Sequence, residues 1–352
     1  MQRSPQWHKG RFQNPQPLWN DYLGAFASIL RRDSNSTPKE PVPIVHPTGK
    51  GLTTDSASGL RATWLGHSTV YLEIDGIRVL TDPVWGRRAS PLSWAGPKRF
   101  FAPLIELEEL PVPQVVAISH DHYDHLDRAT IRRIKDWDTR FIVPLGVGAR
   151  LEGWGVPASR ITELDWWEST HVGDLEVTCT PARHASGRTL LDKDKTHWGG
   201  FAFRAPHHRV YYSGDTGMFP GLADIGDRLG PFDLTLIEAG AYGQAWPDWH
   251  LGPEQAVQAH AMVQGKVLLP VHWGLFDLAA HGWTEPIERV LVAARVAGIT
   301  VAIARPGGSF EPAALADSDR WWPTLPWKTG IEMPIRATPD GLKPQTVPGG
   351  AL

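Results

Sequence analysis

The apolar positions of this chain follow two rhythms. From Arg61 onward, short runs such as ATWLG, TVYLEI and IRVLTD have the length and texture of strands buried on one or both faces. Asp75-Gly76, between the last two runs, is a strong tight-hairpin signal. The run QVVAIS (114–119) is a continuous apolar strand that ends directly in a histidine cluster. Further strands are predicted at Phe141–Val143, Leu175–Thr180, Gly200–Arg204, Arg209–Tyr212, Asp233–Ile237, Val267–Leu269 and Thr300–Ile303. Helices are predicted at Ala129–Trp137, at Pro253–Val263 with proline in the first position, and at Glu285–Ala297 between Thr284 as N-cap and Gly298 as stop. Hairpins interleaved with helices predict a layered α/β domain.

Before Arg61 the texture is rich in Pro, Ser, Thr and Gly, with one interlude. In LWNDYLGAFASILRR, Leu18, Trp19, Tyr22, Leu23, Phe26, Ile29 and Leu30 fall at helical spacing. The expectation is an amphipathic helix docked on its own domain. The alternative is a surface helix touching lipid or a partner, which the lack of a strongly basic face weakens. After about Asp319 the chain is Pro-rich, with Trp321, Trp322 and Trp327, and reads as an extended strap packed by its indoles. Three segments result: an extension over 1–60, a principal domain over 61–318 and a strap over 319–352.

Composition narrows the classes. With 352 residues, 41% of them hydrophobic, and a net charge of −3, the chain can bury a sizeable core and is not disordered. That charge balance leaves no electrostatic footprint for nucleic acid, and none is expected as a partner. The single cysteine, Cys179, excludes a disulfide framework and a multi-thiolate zinc site; inside a strand it reads as a small buried hydrophobe. The longest apolar stretch, Val290 to Ala304, is broken by Arg295 and too short to span a bilayer. The start, MQRSPQWHKGRFQNPQP, lacks the apolar core of a secretory signal. The expected location is the cytoplasm, with peripheral membrane contact as an option.

The 15 histidines change the picture most. In Ser119-His120-Asp121-His122-Tyr123-Asp124-His125-Leu126-Asp127, three imidazoles and a carboxylate crowd behind a buried strand, which is costly without a metal. His120 and His122 are two apart and point to one side of an extended loop; Asp124 and His125 lie across the next turn. Imidazole plus carboxylate suits Zn²⁺ best, with Fe²⁺ or Mn²⁺ as alternatives. Asp82 in LTDP, His184 in TPARH, Asp215 in YYSGDTG and His272 in LLPVHWG each follow an apolar strand, where the loops of a layered α/β fold converge.

H-x-H-x-D-H after a strand resembles the signature of the metallo-β-lactamase-fold hydrolases, and the remaining pieces appear in the expected order. TWLGHST, LTDPVWGRRASP, GPKRF, SHDHYDHLD, ELDWWE, GPFDL and VHWGLF together resemble one branch, the N-acylphosphatidylethanolamine-hydrolysing phospholipase D group and its bacterial relatives. The resemblance runs from about Phe12-Gln13-Asn14-Pro15 to about Gly308. It implies an αββα sandwich of two mixed sheets with outer helices. It also implies two divalent ions, one held by His120, His122 and His184 and the other by Asp124, His125 and His272, with Asp215 bridging. Hydroxide formed between the ions would then serve as nucleophile. Asp82 fits as a carboxylate orienting the histidine loop, or as a turn former. His67 in LGHST fits a hydrogen bond on a turn or a contact behind the ligands. Asp124 and His250 are the expected catalytic residues, His250 by donating a proton to the leaving group. Two departures are Asp121, where the mammalian members carry Asn, and the acidic Glu238 in IEAGAYG.

The resemblance implies a phosphodiesterase of the phospholipase D type, acting on phospholipid or another small phosphodiester. A lactonase or other carbon-ester hydrolase of the same fold is the alternative, then a nuclease; a non-enzymatic metal protein fits poorly with a complete ligand set. Trp85, Trp94, Trp166, Trp167, Trp246, Trp249 and Trp273 flank the motif loops, as an acyl groove or as packing. Oligomeric state is not readable.

Overall fold

The apolar strands assemble into two mixed seven-stranded sheets. The structure is a computed structural model and describes residues 1–315 and 320–343. The expected boundary at 318/319 and the end of the strap lie outside the described residues.

A short ribbon, β1 (Trp7–His8) and β2 (Arg11–Phe12), precedes helix α1 (Tyr22–Leu30) and the one-turn α2 (Gly49–Thr53). The first sheet contains β3 (Leu60–Gly66), β4 (Thr69–Ile74), β5 (Ile77–Thr81), β6 (Val115–Ala117), β7 (Arg140–Pro144) and β8 (Ile161–Leu164), with α3 (Arg128–Ile134) and α4 (Gly148–Gly153) between its later strands. The second contains β9 (Ser169–Val172), β10 (Leu175–Thr180), β11 (Gly200–Arg204), β12 (Arg209–Tyr212), β13 (Phe232–Glu238), β14 (Gly265–Val271) and β15 (Thr300–Val301). Helices α5 (Gly221–Leu229), α6 (Pro253–Met262) and α7 (Glu285–Ala297) connect its parallel strands, and β16 (Ser309–Phe310) returns to pair with β3. In each sheet the early strands pair antiparallel and the later ones parallel.

Period-two alternation sorts side chains into layers. Val70, Leu72 and Ile74 of β4 join Val177, Phe201, Phe203, Leu234 and Leu236 in a core between the sheets. Tyr71, on the opposite face of β4, packs with Ile131 and Ile134 of α3 and Leu151 of α4. On the far side, Tyr211 and Leu268 pack with Ile225, Val257 and Val290 of the outer helices. Three apolar interfaces separate four layers, the expected αββα sandwich. Truncating an inner aromatic such as Phe201, fully buried, would cost about 3–5 kcal/mol.

Several expectations shift in detail. Asp75 and Gly76 take the left-handed backbone their hairpin demands, and Gly298 ends α7 in the same conformation. Thr284 stands at the N-cap of α7, but its hydroxyl makes no capping bond. Helix α1 begins only at Tyr22, capped by Asp21 accepting from the Gly24 amide at 2.9 Å. It does not dock by its apolar stripe: Tyr22, Leu23, Phe26 and Leu30 are exposed, while Gly24, Ala25, Ala27 and Ser28 are half-buried. Those small residues allow close approach to the body, and the four large ones just named turn outward. Trp321 and Trp322 are buried against the inter-sheet core, with their indole N–H groups bonded to Ala304 O and Glu288.

Candidate metal centre

The loops leaving the carboxyl ends of β5, β6, β10, β12, β13 and β14 meet at one end of the sandwich. Asp82 follows β5, His120 to His125 follow β6, His184 follows β10, Asp215 follows β12, Glu238 ends β13 and His272 follows β14. The β3–β4 turn joins them from the first sheet, where the His67 carbonyl accepts from the His272 amide at 3.1 Å.

Three overlapping donor groups form. His120, His122, His184 and Asp215 make the first and His67, Asp124, His125 and His272 the second; Asp215, Glu238, His250 and His272 make a third that shares members with both. In the first, His122 Nδ1 lies 2.9 Å from His120 Nε2 and 3.3 Å from His184 Nε2. In the second, His125 Nε2 and His272 Nε2 are 3.1 Å apart, and Asp124 Oδ2 is 3.3–3.4 Å from both. Asp215 Oδ2 reaches across, 3.1 and 3.2 Å from His125 and His272 and 3.7 Å from His120 and His184. All seven expected ligands are therefore brought together.

The ring orientations test whether ions fit. Asp82, fully buried, accepts from the Ser119 amide at 2.7 Å and takes His125 Nδ1 at 2.6 Å, so Nε2 of that ring faces the centre. Tyr212 OH and Ser119 Oγ donate to the same carboxylate. His184 Nδ1 donates to Trp249 O at 2.8 Å, which likewise leaves its Nε2 inward. Lone pairs of several buried imidazoles then converge at about the 3.3 Å spacing that a tetrahedral ion with bonds near 2.0–2.1 Å imposes on its ligands. Asp215 Oδ1 is buried without a hydrogen-bond partner. This donor chemistry fits divalent cations.

Without a cation the charges distribute unevenly. Burial pushes His120 and His184 well below the usual histidine range. Burial opposes the charge on His272 too, but Asp215 and Asp124 overcome it and lift the ring to about 10. Burial disfavours the Asp215 carboxylate, yet His125 and His272 hold it well below its ordinary value.

From the sequence, His67 is expected to make either a hydrogen bond on its turn or a contact behind the ligands. The structure gives it a left-handed backbone and places Nε2 3.1 Å from Asp124 Oδ2, among the second donor group. A histidine where a hairpin prefers Gly or Asn was the available signal. His250 is half-buried, its ring 5.1 Å from His184 and 5.2 Å from His272, and its Nδ1 lies 2.7 Å from Glu238 Oε2. Glu238 is fully buried and also accepts from the Thr216 amide at 2.6 Å; burial raises its carboxyl. Asp121 turns away from the donors, to Arg150 and the Gly187 amide. Trp85, Trp166 and Trp273 belong to apolar packing, whereas Trp94 is exposed.

The beta-lactamase superfamily domain matches residues 77–273. The chain belongs to the metallo-β-lactamase superfamily and is a metal-dependent hydrolase. An uncharacterized protein of Mycobacterium tuberculosis is 46% identical over 331 residues, 91% of this chain and 88% of that protein. The N-acyl-phosphatidylethanolamine-hydrolyzing phospholipase D 1 of Caenorhabditis elegans is 36% identical over 302 residues, 79% of this chain and 85% of that enzyme. A metallo hydrolase of the archaeon Ignicoccus hospitalis superposes with a TM-score of 0.54 at 23% identity, over 72% of this chain and 98% of that one, which shows the shared fold.

Proposed function

We propose that the protein is a binuclear zinc-dependent phosphodiesterase of the phospholipase D type, hydrolysing N-acylphosphatidylethanolamine-like substrates. The observation that carries the binuclear part is Asp215, whose Oδ2 stands between two histidine groups. Similarity to the nematode enzyme supports the substrate class. His120, His122 and His184 would hold one ion, Asp124, His125 and His272 the other, with Asp215 shared. Bound there, two divalent ions supply Lewis acidity and an activated water near neutral pH.

The chain's own groups do the rest. Glu238 keeps a proton on His250 Nδ1, which leaves Nε2 to donate to the departing oxygen once the ring is charged. Asp124 Oδ2, beside His67 Nε2, would orient the attacking water. Outward-facing Tyr22, Leu23, Phe26 and Leu30 would rest on the lipid interface that holds the substrate. Among the described residues no helix is long and apolar enough to cross a membrane. The activity we propose belongs to the cytoplasm, at the membrane surface that presents the substrate.

The test compares zinc-loaded protein on short-chain and long-chain N-acyl phosphodiesters, a simple lactone and RNA. Each buried methylene contributes about 0.8 kcal/mol, so kcat/KM should rise with acyl length over several carbons and then level. Preference for the lactone or RNA would sink the reading; a flat response to chain length would remove the lipid.

A further inference from the structure

The segment Phe12-Gln13-Asn14-Pro15 carries no metal ligand and no group that moves a proton at the centre, yet it is fastened firmly. Phe12 is buried and stacks on His197, with ring centroids 4.2 Å apart and 10° between planes. Two residues on, the Asn14 side chain meets His184, 170 positions away in sequence. Asn14 Nδ2 donates to the His184 carbonyl at 2.6 Å, and Asn14 Oδ1 accepts from the His184 amide at 3.1 Å. One primary amide thus pairs with both backbone polar groups of a single residue, as a neighbouring strand would. With the backbone held this way and Nδ1 tied to Trp249 O, the direction of His184 Nε2 is set.

The segment itself cannot drift. Arg183 donates to Pro17 O at 2.5 Å, and the Trp19 amide donates to Asp248 Oδ2 at 2.8 Å. Asp248 is fully buried and also holds Arg183 at 3.1 Å and the Thr338 amide at 2.6 Å. Both terminal segments are therefore tied to the loops that carry His184 and His250.

We propose that Asn14 is a positioning residue of the metal centre, fixing His184 so that Nε2 meets the ion it shares with His120 and His122. The inference rests on the binuclear reading. Only an amide serves here: aspartate keeps the acceptor but sets a carboxylate against the His184 carbonyl, and alanine supplies neither partner.

The experiment uses the full chain, loaded with zinc and dialysed against graded chelator, with zinc counted per chain and the metal-free melting temperature recorded. In Asn14→Ala and Asn14→Asp, one of the two ions should leave at a chelator strength about 10–100-fold lower than in the parent. The other ion should be unaffected, as should both in Gln13→Ala, whose exposed side chain is neighbouring but uninvolved. In a His122→Ala background, which gives up the first ion, adding Asn14→Ala should change the remaining ion's retention by less than twofold. Equal weakening of both ions, unchanged retention, or a further loss in that background would overturn the proposal. So would zinc loss that merely tracks a lower metal-free melting temperature. If the parent holds fewer than two ions, the binuclear reading fails by itself, while the ratio of variant to parent still reads Asn14.

Discussion

The buried imidazoles of the metal centre and those of the surrounding packing face the same loss of water, and meet it differently. His260 sits alone on α6, its Nδ1 bonded to Thr235 Oγ1 at 2.7 Å, and burial pushes it down to about 4. His197 lies between Phe12 and Trp166, and burial lowers it as well, against the pull of Asp165. Each remains a neutral ring in mostly apolar surroundings. At the centre, by contrast, ring nitrogens approach one another within 2.9–3.3 Å, while Nδ1 of His125, His120 and His184 is bonded to Asp82, Ser119 and Trp249. With Nδ1 engaged in this way, those three rings turn Nε2 toward the centre, the arrangement that suits a cation. Convergence of lone pairs, rather than burial, separates a ligand from a packed histidine.

The largest effect that would sharpen this contrast is at Asp215. Asp215→Ala removes the one carboxylate between the two groups, so both ions should weaken and activity should fall further than with any single histidine change. Zinc counting beside rate measurement checks it, and retention of both ions would break the assignment. His250 comes next, since it lies at the centre without belonging to either histidine set. His250→Ala should keep both ions yet lose about 10²–10⁴-fold in rate, least for a nitrophenolate leaving group. Equal losses for good and poor leaving groups would make it a positioning group instead.

The smallest effect belongs to the packing side. His260 has a folded value near 4 against about 6.5 when unfolded, so the unfolded chain takes up its proton first as pH falls. Its contribution is complete above about pH 6.5 and is lost as pH drops toward 4. Denaturant unfolding between pH 7 and 5 should show His260→Gln with a shallower slope than the parent, by up to about 1.4 kcal/mol per pH unit. Parallel slopes would mean that this ring does not titrate differently on folding.

Much of the fold was legible because the central strands are buried on both faces: Leu175–Thr180, Gly200–Arg204 and Arg209–Tyr212 coincide with their predicted spans. The edges were not. Strands β8 and β9 end their sheets, and their half-exposed, mixed sequences carry little apolar signal. Helix α5 escaped because Gly221 and Gly226 interrupt its pattern. For α1 the periodicity gave a stripe but not the side it faces; Tyr22, Leu23, Phe26 and Leu30 point outward. At the site, the place of each candidate after a strand was legible, while the ligand set itself was implied by the family resemblance. The contacts of His67 and Asn14 were not legible, because their partners are fixed only by how the two sheets and the N-terminal segment come together.

A pair of ions sharing Asp215 should be countable by elemental analysis of protein purified without chelator. About two divalent ions per chain are expected, with activity lost on their removal and restored by zinc. A chain that stays fully active without metal, or that binds a single ion at saturation, would contradict the shared pair.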